Sequence, residues 1–364
     1  MNPKERLIST LKREETDRPP LFATVTPQTA RKLSDHLGIP YEPPLDSLLS
    51  TRISHMDLLT RLGNDCVGIA ACAPRDFPTR EREDGHIVNE WGMVFRDIGL
   101  YNEFADYPLK EASSVSDILD YPLPDPVAPG RFDEARKTVE RYGKEYAVVA
   151  DVETSFWETS WYLVGLEKLM VDMMMEAPYV EALFDRVMEI NLEIGRQLIM
   201  LGADIIWAGD DFGTQRGMIM DPDTWRRIFK PRISYMFREW KKVNPGIRIA
   251  WHTCGSVVPI IGDFIEIGLD LINPLQPLAS GMDAENITRI FGDRVLYFGG
   301  IDIQELLPAG PPERIRSEVR RISDIYGRYG GYLIAPAHNI QDDTPVEHIL
   351  AFFDAVKQLG NPAG

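Results

Sequence analysis

The chain has 364 residues, 44% of them apolar and 26% charged, a composition that excludes a disordered or fibrous protein and suffices for a large core. Against 39 Lys and Arg stand 56 Asp and Glu, a formal charge of -17, and such a field repels phosphate backbones and anionic lipid headgroups. Nucleic acid and membrane partners are therefore not expected.

The first residues, MNPKERLISTLKREETDRPP, carry charges of both signs and no apolar run, so a cytoplasmic protein is expected. Asn2 to Lys12, with Leu7, Ile8 and Leu11 on one face, reads as a helix. The strand candidates in chain order are Pro20 to Val25, Cys66 to Ala71, Ala147 to Val152, Asp204 to Ala208, Arg248 to Trp251, Leu271 to Pro274, Val295 to Phe298 and Gly331 to Ala335. Between them lie helical patterns at Pro27 to Leu37, Gly165 to Gly202 (as two helices), Asp221 to Lys242, Val257 to Gly268, Pro312 to Tyr329 and Thr344 to Leu359. This alternation requires parallel pairing. The eight runs predict an α/β fold, a single-domain (β/α)8 TIM barrel, because closure removes the sheet edges. The competing architecture, a doubly wound open sheet, lacks its GxGxxG after the first strand.

Ala73 to Tyr146 breaks the rhythm and reads as an insertion after the second strand, able to act as a lid or to be a purely structural excursion. Within it His86 to Asp97 alternates like a hairpin, and Tyr121-Pro-Leu-Pro-Asp-Pro is stiff connector.

In such barrels reacting groups collect where strands end. The runs here end in Thr24 and Thr26, Cys72, Asp151 and Glu153, Asp210 and Asp211, His252 and Cys254, Asn273 and Gln276, Asp302, and His338. Side chains two apart on a strand point the same way, so His252 and Cys254 face one point. An imidazole and a thiol aimed together make half a zinc site. Taken alone the pair also suits a buried Cys beside a hydrogen-bonded His; the strand terminus before Gly255 favours metal. His338 is the obvious third ligand, with Glu153 and Asp211 as alternatives and a substrate or structural hydrogen bond as its other role. The three cysteines, Cys66, Cys72 and Cys254, are too few for four thiolates, and their odd number fits reduced thiols. Of the neighbours Asp210 and Asp211, one is expected to point into the mouth; Asp211, with Glu153 and Gln276, is the candidate catalytic set.

These residues resemble the uroporphyrinogen decarboxylase superfamily and, within it, the branch of corrinoid-dependent zinc methyltransferases. The resemblance spans nearly the whole chain. It rests on Pro3-Lys-Glu-Arg-Leu, Asp17-Arg-Pro-Pro, Asn89-Glu-Trp-Gly, Gly165-Leu-Glu-Lys-Leu, Asp211-Phe-Gly-Thr-Gln, His252-Thr-Cys-Gly, Asn273-Pro-Leu-Gln, Phe298-Gly-Gly-Ile-Asp and Ala335-Pro-Ala-His-Asn-Ile. It implies zinc on His252 and Cys254, a third ligand where the branch has cysteine and this chain has His338, and a corrinoid brought by a separate carrier protein. A small methyl donor or acceptor is the other implied partner. The decarboxylases carry an Arg-Gln-Ala-Gly-Arg motif after the first strand and an Asp ending the second; this chain reads Thr24-Val-Thr-Pro-Gln-Thr and Ala70-Ala-Cys-Ala there. A mouth rich in Asp and Glu, and almost without Arg, is expected to repel a polycarboxylate by roughly several kcal/mol. A metal-free decarboxylase of another carboxylated substrate, using Asp211 and His338 as acid and base, is the alternative.

Overall fold

Near-continuous apolar runs, buried on both faces, are the signature of a parallel sheet covered by helices. The computed structural model describes residues 1–45, 52–77, 80–99 and 102–360, apart from the side chains of Arg80 and Glu153. Strand β1 (Cys66–Ala70) is followed by four short strands, β2 (Arg80–Glu81), β3 (Ile87–Val88), β4 (Val94–Asp97) and β5 (Asn102–Asp106), and then by β6 (Ala147–Thr154). The remaining strands are β7 (Ile205–Gly209), β8 (Arg248–His252), β9 (Leu271–Asn273), β10 (Leu296–Ile301) and β11 (Tyr332–Pro336). One seven-stranded sheet has the order β1-β6-β7-β8-β9-β10-β11, parallel at every pairing. Sequential order with a crossover between each pair is the topology of a barrel.

The first predicted strand, Pro20 to Val25, is not a regular strand, so the count of eight is corrected to seven among the described residues. Its Leu21 and Val25 make isolated bridges to Ile334 and Ile340. Pro19 and Pro20 have no N–H to donate. On the other side, the N–H groups of Leu21 and Ala23 go to the side chains of Asp65 (2.8 Å) and Asn64 (3.0 Å) instead of a ladder. The segment is thus bonded to β11 on one flank and to the start of β1 on the other, and it occupies the gap between the two edge strands.

Alternate strand residues, among them Val149, Trp207, Ala250, Phe298 and Leu333, meet Phe22 in an inner cluster that Leu7 and Leu11 of the helix Pro3–Leu11 also join. The larger cluster lies between the strands and the surrounding helices.

One helical expectation changes, and one helix appears that the periodicity did not suggest. Asp221 to Lys242 is two helices, Pro222–Ile228 and Lys230–Val243, interrupted where Pro231 cannot donate to the preceding turn. The helix Trp157–Val164 has no local signature, since aromatic and β-branched residues are poor helix formers and it lacks a cap from its own N-cap residue. Its cap comes from far away: Asp210 accepts the N–H groups of Phe156 (3.2 Å), Trp157 (3.2 Å) and Glu158 (2.9 Å).

Between β1 and β6, the strands β2 to β5 form an antiparallel sheet in sequence order, and His86 to Asp97 is its β3–β4 hairpin. Phe104 of β5 stacks on Tyr162 (ring centroids 4.6 Å apart), which seats this sheet on the Trp157–Val164 helix. Arg131 grips Glu90 through two bonds of 2.7 and 2.6 Å, and its guanidinium also reaches the Cys72 carbonyl at 3.2 Å. No helix among the described residues is long and apolar enough to cross a membrane.

Candidate metal centre

Strand β8 ends at His252, and the next three residues are held at every amide. Thr253 N–H donates to the Asn273 carbonyl (2.9 Å), Cys254 N–H to Asp211 Oδ1 (2.7 Å) and Gly255 N–H to Gln276 Oε1 (2.8 Å). Gly255 has φ +79, and a Cβ there would lie 2.4 Å from the Gly213 carbonyl carbon, so only glycine lets these two loops touch. This places Cys254 Sγ 3.3 Å from His252 Nε2.

His338, two residues beyond β11, reaches the same point. The ligand atoms of His252, Cys254 and His338 all lie within 4.8 Å of one another, the sole such group of three among the described residues. Around one tetrahedral zinc, ligand atoms stand roughly 3.4–3.7 Å apart given Zn–N and Zn–S lengths of about 2.1 and 2.3 Å.

The protonation pattern suits a cation. Asn273 Nδ2 donates to the Phe298 carbonyl (3.1 Å), leaving its Oδ1 to accept from His252 Nδ1 at 2.6 Å. With the proton on Nδ1, the Nε2 lone pair faces Cys254. Burial, with help from the Arg52 charge, pulls His338 down to about 4 and His252 well below its usual value, so both imidazoles are neutral, the form that could ligate a metal. Burial and the nearby Asp211 carboxylate push the Cys254 thiol well up. A dication held here would reverse that last effect, because its charge would compensate the thiolate.

The adjacent aspartates differ in their surroundings. Asp210 is fully buried and turned to the helix it caps, whereas the Asp211 side chain keeps 39% exposure, with Oδ1 3.7 Å from His252 Nε2. Gln276 is committed to the Gly255 amide, an anchoring contact. Asp302 caps the residues after β10 through the N–H groups of Gln304, Glu305 and Leu306. Thr24 donates to Asn339 at 2.5 Å, and Cys72 is buried beside Arg131 without joining the three ligands. The Glu153 side chain lies outside the described residues.

Two participants had no sequence signal. Glu158 Oε2 accepts the Asp211 N–H at 3.0 Å, across a chain separation that no local pattern marks. Arg52 lines a cavity of about 10 Å³ together with Thr24, Trp207, His252, Asn273 and His338. Its guanidinium stands 4.2 Å over the Trp207 ring and 3.4 Å from buried Asp151. The expectation of a mouth almost without arginine is corrected at this position, which lies outside any periodic element.

Residues 104–359 match the family model described as Uroporphyrinogen decarboxylase (URO-D). A uroporphyrinogen decarboxylase of Proteus mirabilis is 26% identical over 286 residues, covering 73% of this chain and 74% of that protein. One from Erwinia tasmaniensis is 27% identical over 286 residues, covering 73% and 75%. Among solved structures, a methyltransferase from Methanosarcina mazei superposes with a TM-score of 0.70 over 98% of this chain and 99% of its own length, at 20% identity. That last likeness is one of fold.

Proposed function

The chain belongs to the uroporphyrinogen decarboxylase family, and within it we propose a zinc-dependent methyltransferase that moves a methyl group between a corrinoid and a thiol or a methylated oxygen or nitrogen compound. The corrinoid comes on a separate carrier protein. The observation that carries this reading is the meeting of His252 Nε2, Cys254 Sγ and His338 within 4.8 Å at the C-terminal ends of parallel strands. His252, Cys254 and His338 would hold a zinc ion, which would supply a Lewis acid able to lower the pKa of a thiol or polarise a methoxy group.

The protein's own groups have definite tasks. Asn273 keeps the His252 proton on Nδ1. Asp211, the half-buried carboxylate beside His252 and Cys254, takes the proton that an incoming thiol loses, or returns one to the alkoxide that a methoxy donor leaves behind. Gln276 and Gly255 hold the loop that carries the sulfur.

Metal analysis of protein purified without chelators tests the first step. The expected result is about one zinc per chain, lost in Cys254→Ala; native protein free of metal overturns the reading. Methyl transfer from methylcobalamin to a panel of thiols tests the second.

A second reading draws on the names of the relatives and on Arg52 in the cavity: a metal-free decarboxylase with Asp211 and His338 as acid and base. Carbon dioxide release from a carboxylated substrate, undiminished by chelators, would favour it.

A further inference from the structure

The Trp157–Val164 helix carries a carboxylate for which the proposed chemistry has no task. Glu158 Oε2 accepts the backbone N–H of Asp211 at 3.0 Å, and Oε1 accepts the Tyr162 hydroxyl at 3.0 Å. Asp211 in turn accepts the backbone N–H of Cys254 at 2.7 Å. Two hydrogen-bonded links therefore join Glu158 to the residue that bears the sulfur. Between that pinned amide and Sγ there is one side-chain torsion, so the place of the backbone decides the place of the sulfur.

An acid here is costly. Glu158 lies beside the carboxylates of Asp210 and Asp211, and like charges at close range repel. The other end of the chain of contacts leads outward. The Tyr162 ring stacks on Phe104 of β5 (4.6 Å), and Phe104 also meets Trp161 (5.5 Å). The helix thus stands between the antiparallel sheet β2–β5 and the three candidate ligands.

We propose that Glu158 is a positioning residue for the metal centre: through Asp211 it sets where Cys254 Sγ lies, and through Tyr162 and Phe104 it ties that position to the seating of the β2–β5 sheet. The proposal rests on the zinc reading and assigns a part of its supporting shell.

Cobalt(II) substitution of the full-length protein reads the geometry directly, since thiolate ligation gives a charge-transfer absorption independent of turnover. Wild type is expected to show that band. Glu158→Ala is expected to weaken it and to lower metal affinity, measured against a competing chelator, by about 10–100-fold, the usual loss for an outer-shell partner. Glu158→Gln keeps an oxygen for the Asp211 N–H and is expected to stay within about threefold of wild type. Phe104→Leu, which loosens the outer end, is expected to lose affinity by roughly several-fold and guards against an alanine variant that fails to fold. A wild-type band with unchanged affinity and spectrum in Glu158→Ala, or in Phe104→Leu, overturns the proposal alone. So does a glutamine variant as impaired as the alanine one, because charge and not the hydrogen bond would then be the cause. A wild-type protein with no thiolate band overturns the zinc reading and this proposal together.

Discussion

His252 and Asn273 stand opposite each other on the parallel strands β8 and β9, and His252 Nδ1 lies 2.6 Å from Asn273 Oδ1. The asparagine amide is itself oriented by the Phe298 carbonyl, so its oxygen can only accept and the imidazole must donate. One backbone carbonyl on β10 therefore determines which nitrogen of a histidine two strands away keeps a free lone pair. Asn273→Ala is expected to lower zinc affinity by about 10–100-fold with the fold retained. Competition against a chromogenic chelator measures it, and an unshifted affinity would mean that the tautomer is set by something else.

His338 occupies the position at which the resemblance to the zinc methyltransferases implies a cysteine ligand. If it ligates as proposed, His338→Cys keeps a competent donor and is expected to retain most of the zinc, while His338→Ala is expected to lose it as Cys254→Ala does. Zinc content by atomic emission on the three variants decides. Full loading of His338→Ala would remove this histidine from the ligand set.

Stability should depend on pH through His55, which is 5% exposed, with its ring near Tyr41 and Nε2 unpartnered. Burial draws its pKa down to about 4, against an opposing hydrogen bond from the ring to the Glu42 backbone. The folded value is below the unfolded one, so the contribution to stability is present above about 6.5 and disappears as pH falls through about 4. A shift of this size corresponds to at most about 3 kcal/mol. Urea unfolding of His55→Leu is expected to show a shallower loss of stability between these pH values than wild type. Parallel curves for the two proteins would contradict the assignment.

The Arg131–Glu90 pair fastens the β3–β4 hairpin, and both side chains are largely buried, 4% and 14% exposed. Removing one partner strands the other charge. Arg131→Ala is expected to cost about 3–5 kcal/mol, whereas replacing both by apolar residues should cost much less. Hydrogen exchange should localise the effect to residues 80–106. A loss of stability spread evenly over the barrel would not fit.

Much of the scaffold is legible along the chain because its signals are local. The parallel strands are short runs buried on both faces, and helices such as Pro27–Leu37 and Pro312–Tyr326 follow their apolar spacing. Pro20 to Val25 misleads for an equally physical reason: its apolar pattern is that of a strand, but its N–H groups are spent on Asn64 and Asp65, to which no sequence period points.

The amino-acid sequence by itself determined that His252 and Cys254 stand two positions apart where one apolar run ends and that His338 follows closely on the last run, because such runs are local signals; β8 stops at His252 and β11 at Pro336, so loop hydrogen bonds and not strand alternation bring Cys254 beside His252. Only the tertiary structure decided that Asp211 and not Asp210 lies beside His252 and Cys254, that Arg52 lines the cavity, and that Asn273 and Glu158 stand behind the candidate ligands. The reason is range: these choices are made by hydrogen bonds between residues 21, 53 and more positions apart, and a bond across such a distance leaves no periodicity at either end.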